Sequence, residues 1–187
     1  MKLTHLLLLP ALLLASGETP LEIPPAQAQV SFTLADVLHT VHGAFALKHG
    51  SLRFDPESGR ASGEIVVDAA SGQSGSPARD KRMHANILES AHYPEIAFRP
   101  DHVDGKVAAE GGSDVKLHGI FSIHGGDHEL TVPTHVDAAG GHYTATAHFV
   151  VPYVKWGLKN PSTFVLRVSD KVDIDVRLVA QVATVSQ

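Results

Sequence analysis

The stretch "HGIFSIHGGDHELTVPTH", His118–His135, decides how the rest of the chain is read. Ahead of its glycine pair, Val115, Leu117, Gly119, Phe121 and Ile123 share one parity, while Lys116, His118, Ser122 and His124 share the other. Beyond the pair, Leu130, Val132 and Val136 continue the apolar face, and His135 falls on the polar one. His128 has the inward parity but sits at the strand end. A period of two residues marks a strand with one buried and one wet face. Two such runs joined through Gly125-Gly126 predict an antiparallel hairpin with the turn at that glycine pair.

The same period recurs along the chain. In "KVDIDVRLVAQV", Val172, Ile174, Val176, Leu178, Ala180 and Val182 oppose Asp173, Asp175, Arg177 and Gln181. In "HYTATAHFV", Tyr143, Ala145, Ala147 and Phe149 oppose His142, Thr144, Thr146 and His148. Ile96 and Phe98 oppose Glu95 and Arg99. Strands are expected near 30–34, 39–48, 51–54, 60–69, 95–103, 106–110, 114–124, 128–137, 142–151 and 171–183. Turn signals separate them at Gly50, Asp55–Gly59, Asp104-Gly105, Gly125-Gly126 and Ala139–Gly141. "SPARDKRMHANILES", Ser76–Ser90, breaks the period: Met83 and Ile87 stand four apart, Ser76 is a candidate N-cap and Pro77 suits a first turn. One short helix on a mostly antiparallel sheet follows, an all-β fold.

The first residues, "MKLTHLLLLPALLLASG", read as a secretory leader: Lys2, then an apolar run from Leu6 to Ala15 too short to span a bilayer. Cleavage is expected after Gly17 or after Ala28. The second is preferred for its distance from the run and the small residues Ala26 and Ala28. The domain plan is thus a leader over 1–28 and one domain over 29–187, periplasmic or secreted. No later run reaches membrane length, so no stable membrane insertion is expected. There is no cysteine, which excludes a lipid-anchored leader and leaves the core to hold the fold. The charge of −5 becomes −4 without residues 1–28, and no basic block offers a footprint for nucleic acid.

The chain carries 13 histidines. Imidazoles sharing a metal must lie within about 4 Å of one another. His118 and His124 share a face six residues apart, roughly 20 Å along a strand. There is no H-x-H on a strand and no H-x-x-x-H on a helix, and a pairing of His124 with His128 beside the turn is the one close option. Surface histidines on a polar hairpin face are therefore expected, with no metal and no cofactor. No G-x-S-x-G, no cysteine and no Ser-His-Asp set is present, so no enzyme is expected. Asp80, beside Arg79, reads as a solvated or capping charge. "SGQSGSP" lacks the lysine of a phosphate loop.

The apolar faces remain. They fill a sandwich core, or they line a barrel of about eight strands, wide enough for one small ligand. Periodicity does not separate the two. A lean aromatic supply (7 Phe, 3 Tyr, 1 Trp) and the small Ala145 and Ala147 on the inward face favour an incompletely filled interior, and the missing side chain of Gly119 is expected to leave room beside Phe121.

The order of the pieces resembles the YceI-like family. "VSFTLADVLHTVHGAFALKHGSLRFDP", "SGEIVVDAASGQSGSPARD", "YPEIAFRPDHV", "LHGIFSIHGGDHELTVP" and "KWGLKNPSTFVLRVSDKVDIDVRLVA" are similar to its successive segments, over roughly residues 30–180. Gly126-Asp127-His128 stand where the family's hairpin commonly carries a threonine, and Lys155 stands before Trp156-Gly157. The resemblance implies an elongated, antiparallel, lipocalin-like β-barrel of about eight strands, exported, with a polyisoprenoid or other long-chain lipid in its apolar interior. The inward set by parity is Phe32, Leu34, Phe45, Leu47, Ile65, Val67, Ile96, Phe98, Phe121, Ile123, Leu130, Val132, Tyr143, Phe149, Ile174, Val176 and Leu178, with Trp156 near a mouth. The competing expectation is a structural or stress-related envelope protein with a filled core and no ligand. An enzyme acting on an isoprenoid ranks below both for want of a catalytic set.

Overall fold

The computed structural model describes residues 17–35, 40–163 and 167–183. Ten strands appear: β1 (Thr19–Glu22), β2 (Ala28–Ala35), β3 (Thr40–Phe45), β4 (Leu47–Phe54), β5 (Ala61–Asp68), β6 (Glu95–Asp104), β7 (Gly111–Ile123), β8 (Gly126–Ala139), β9 (His142–Val151) and β10 (Val172–Val182). Every neighbouring pair is antiparallel. A tight turn at Pro25–Gln27 splits β1 from β2. A break at Ala46 and an irregularity between Leu47 and His49 split β3 from β4. Each split pair serves as one bent stave, so the wall has eight staves. It closes because β10 pairs with β9 on one side and with both β2 (Ile174 opposite Phe32) and β1 (Leu21 opposite Val182) on the other. The result is a closed eight-stranded antiparallel barrel.

The barrel does not begin at Gln29. β1 lies ahead of it, seated between β4 and β10, with Leu21 and Ile23 only 8 % and 3 % exposed in the core. The expected 1–28 leader therefore overlaps the wall, because "PLEI" supplies two inward apolar residues with strand spacing. The rest of that segment, residues 1–16, lies outside the described residues.

Three further expectations shift. Residues 106–110 form a loop, between Gly105 and Gly111 at φ of 110° and 87°. The hairpin turn is His124-Gly125, not Gly125-Gly126: Ile123 pairs with Gly126, and both turn residues have positive φ (52° and 74°). That is the dihedral pattern that matches the twist of two flanking strands. His124 consequently does not pair with His128, which stands opposite Phe121. Gly119 makes no free space inside: a Cβ there would lie 2.7 Å from Pro100 Cα, with the Arg99 carbonyl nearer still. β6 bulges between Pro100 and His102 and presses its backbone onto β7 at that point.

The helix forms where expected, as α1 (Pro77–Arg82) continued by a wider turn over Met83–Ile87. Ser76 has the extended backbone of an N-cap but no side-chain cap bond. Asp80 does the tying instead: its Oδ1 accepts from the Ser74 amide at 2.8 Å and from the Ser74 hydroxyl. Arg79 donates to the Ser74 carbonyl at 2.6 Å.

On the outer wall, imidazoles meet carboxylates, and His135 and His148 each lie between two of them, Asp114 and Asp137, and Asp173 and Asp175. His118 Nδ1 donates to Asp101 at 2.9 Å, His135 Nδ1 to Asp114 at 2.7 Å, and His148 Nδ1 to Asp175 at 2.9 Å. The Asp101 and Asp114 carboxylates hold His118 and His135 above the ordinary imidazole value. Among the described residues no group of three or more His, Asp or Glu is placed to hold a metal ion. No helix among them is long and apolar enough to cross a membrane.

Gly119→Ala should lower stability by about 1–3 kcal/mol, since the added carbon meets backbone that cannot rotate away. A urea midpoint equal to that of the wild type would show that β6 can shift, contrary to this packing.

Candidate functional site

The inward residues of the wall form three clusters stacked along the barrel. The lower cluster is Val103, Val115 and Val136, near the β8–β9 turn. The middle one holds Leu21, Ile23, Val30, Leu47, Val67, Leu178 and Ala180. The upper one, toward the β7–β8 turn, holds Leu88, Phe121, Ile123, Val151, Tyr153 and Leu158. Ile96 and Phe45 touch both middle and upper clusters, and Tyr143 both middle and lower, so the core is continuous.

All 18 residues singled out from the sequence lie inside the barrel or at its upper mouth, but they are not equally covered. Phe32, Leu47, Val67, Phe121, Ile123, Val132 and Leu178 are buried. Leu34, Phe45, Ile96, Phe98, Leu130, Phe149, Trp156 and Ile174 are half-buried and pack on the upper cluster. Ile65, Tyr143 and Val176 are half-buried against the middle one. The contrast is sharpest on β8, where Leu130 is half-buried and Val132, the next inward residue, is 5 % exposed. An inward side chain on this wall is exposed to space within the barrel, at its ends, or past the singly paired edge of β3. The upper half is thus lined by apolar surface that the protein's own packing leaves uncovered.

Two chain connections roof this half. The β5–β6 connection brings Met83, Ile87 and Leu88 onto the upper cluster, and the β9–β10 connection brings Tyr153, Val154, Trp156 and Leu158. Tyr153 fastens the second connection, its hydroxyl donating to the Ser169 carbonyl at 2.6 Å. Burial, with Asp170 nearby, pushes that phenol up to about 12. Glu89 joins the roof to the hairpin. Lys159 Nζ donates to its Oε1 at 2.9 Å, and His124 Nε2 lies 3.4 Å from its Oε2. The Lys159 ammonium, aided by His124, holds the Glu89 carboxyl below the usual range. Glu89 and His124 are the two non-glycine residues with positive φ among those described, at 47° and 52°. Tyr93 packs on the His124 ring, with centroids 4.4 Å apart.

Below this clamp runs a line of rings. Phe149 meets Phe121 edge-on at 6.2 Å, Phe121 meets Trp156 at 5.6 Å, and Trp156 lies flat on His128 at 4.2 Å and 4°. Sequence parity placed His128 inward but could not supply Trp156, which arrives from a loop 28 residues later. Leu88, Tyr153 and Leu158 were missed because they belong to the roof, where no period of two exists to read. Two surface hollows, of about 730 and 390 Å³, lie elsewhere, on polar outer-wall residues such as Lys116, His135, Gln29 and Arg177.

The family model for a YceI-like domain matches residues 21–180, and the chain belongs to that family. The fold is similar to that of BcnA from Burkholderia cenocepacia: TM-score 0.70 at 20 % identity, covering 87 % of this chain and 99 % of that one. It is similar to a polyisoprenoid-binding domain from Saccharophagus degradans implicated in plant cell wall breakdown: TM-score 0.66, 13 % identity, 87 % and 98 % covered. It is similar also to the YceI protein of Campylobacter jejuni: TM-score 0.64, 15 % identity, 79 % and 88 % covered. No curated protein matches the chain.

The uneven cover along β8 makes a direct contrast. Leu130→Phe and Val132→Leu each add a comparable volume to an inward position. Leu130→Phe should stay within about 1 kcal/mol of wild type, whereas Val132→Leu should cost about 1–3 kcal/mol by overpacking. Equal losses in urea unfolding would mean that the upper half is as tightly filled as the rest.

Proposed function

We propose that this YceI-like protein is a lipid carrier that holds a polyisoprenoid or other long-chain tail inside the upper half of its barrel. The carrying observation is the set of half-buried, inward, apolar side chains there, Ile96, Phe98, Leu130, Phe149 and Ile174 among them. The family, and a similar fold described as polyisoprenoid-binding, support a lipid as the partner. The mechanism is burial. At about 0.8 kcal/mol per CH₂, a tail of some twenty carbons offers on the order of 10 kcal/mol of gross driving force before the cost of ordering it. The tail touches the half-buried set, while Leu47, Val67, Val132 and Leu178 form the packed floor beneath it. The function is binding, not catalysis, and the acidic chain offers nothing that would hold nucleic acid.

The carrier works outside the cytoplasm, in the periplasm or beyond, after removal of the leader. The position of β1 bears on the cut. Cleavage after Ala28 removes β1 and strips both β4 and the end of β10 of their partner, whereas cleavage after Gly17 keeps the wall whole. The mature chain should therefore begin at Glu18. N-terminal sequencing of envelope material that starts at Gln29, or at an intact Met1, would contradict this.

Trp156 is the sole tryptophan, and it sits at the mouth. Titration with a twenty-carbon isoprenoid alcohol should change its emission saturably at one equivalent. Ile96→Trp adds bulk where the middle and upper clusters meet and should weaken that binding at least about tenfold, read by calorimetry. The packed middle and lower clusters favour the competing reading, a filled barrel with no ligand. No saturable binding by the wild type would establish it.

A further inference from the structure

We infer that the His128 imidazole is the polar contact for the head of the bound lipid, and that this head is an uncharged oxygen group such as a hydroxyl. The inference rests on the carrier reading and specifies which lipid the site selects. His128 Nε2 and His124 Nε2 are the buried side-chain polar atoms without a hydrogen-bond partner among the described residues. His124 at least faces the Glu89 carboxylate, 3.4 Å away. His128 Nε2 has no such neighbour among the described residues. A buried polar atom left unpaired is destabilising, and this half-buried inward position opposite Phe121 could hold an apolar side chain instead.

The place of the ring gives the cost a use. His128 ends the aromatic line that runs from Phe149 through Phe121 and Trp156, so a tail lying along those rings brings its terminus to the imidazole. Trp156, flat on the ring, fixes its plane; Nε2 has no exposed surface as the ring stands, so the head displaces the side chains that cover it. A neutral imidazole offers one donor and one acceptor nitrogen. A hydroxyl can do either, so it satisfies Nε2 in both tautomers. An anionic head fits less well. The Lys159 ammonium of the roof is already engaged by Glu89, and that carboxylate would stand near a second negative charge.

The test compares three probes of one tail: a twenty-carbon isoprenoid alcohol, the matching hydrocarbon without the hydroxyl, and the alcohol's monophosphate. Each is titrated calorimetrically into wild type, His128→Phe and His128→Gln. His128→Phe should bind the alcohol about tenfold more weakly, the loss of one hydrogen bond, and the hydrocarbon within about twofold of wild type. His128→Gln keeps a donor and an acceptor and should retain most of the preference. Melting of His128→Phe should not fall, since the unpaired nitrogen goes. Equal weakening of alcohol and hydrocarbon, a large loss of stability in His128→Phe, or tighter binding of the monophosphate than of the alcohol by wild type would each overturn the inference. If no probe binds wild type, the carrier reading itself fails. If the hydrocarbon binds and His128 makes no difference, only the head contact fails.

Discussion

Closure of the wall at β10 is the constraint on which everything else depends. β10 must satisfy β9 along one edge and a bent stave, β2 then β1, along the other. That ring leaves β3 paired along one edge only, apart from a bridge between Ala44 and Gln73, and every strand turns one face inward. The alternation of Val172, Ile174, Val176, Leu178 and Ala180 against Asp173, Asp175 and Arg177 is this constraint written in one strand. The bend at Pro25–Gln27 lets one stave serve two partners: β2 follows most of β10, and β1 takes its last residues.

Within that wall the two halves do different work. The lower half is built on the buried, branched side chains Val103, Val115 and Val136. The upper half is lined by larger, less covered groups and is roofed by connections rather than by the wall. The roof meets the hairpin through a few specific contacts: Glu89 between Lys159 and His124, Tyr93 on His124, and Trp156 on His128. Strain is concentrated at the same spot, in the backbones of Glu89 and His124, which is where a binding device commonly stores it.

The wall was legible from sequence and the roof was not, for a physical reason. A strand writes its inward face every second residue, so Phe121, Leu130, Phe149 and Ile174 could be assigned locally. How far each is covered depends on elements distant in the chain, and parity is silent about that. β1 went unread because its four residues lie close behind a leader-like apolar run. Gly119 was assigned to open space because a missing side chain looks the same from sequence whether the gap is empty or filled by a neighbouring backbone. The ladder shows it filled. The turn glycine was displaced by one residue because His124 accepts a left-handed backbone that composition alone would give to Gly126.

The central claim is that the barrel's upper interior is occupied by a lipid tail in the working protein. Mass spectrometry of the intact protein, purified from its native envelope without detergent, tests it most directly, together with an organic extract of the same sample. The account predicts a stoichiometric mass increment that disappears on extraction and reappears in the extract as a long-chain species with an uncharged oxygen head. Protein of bare polypeptide mass, with no lipid in the extract, would contradict it.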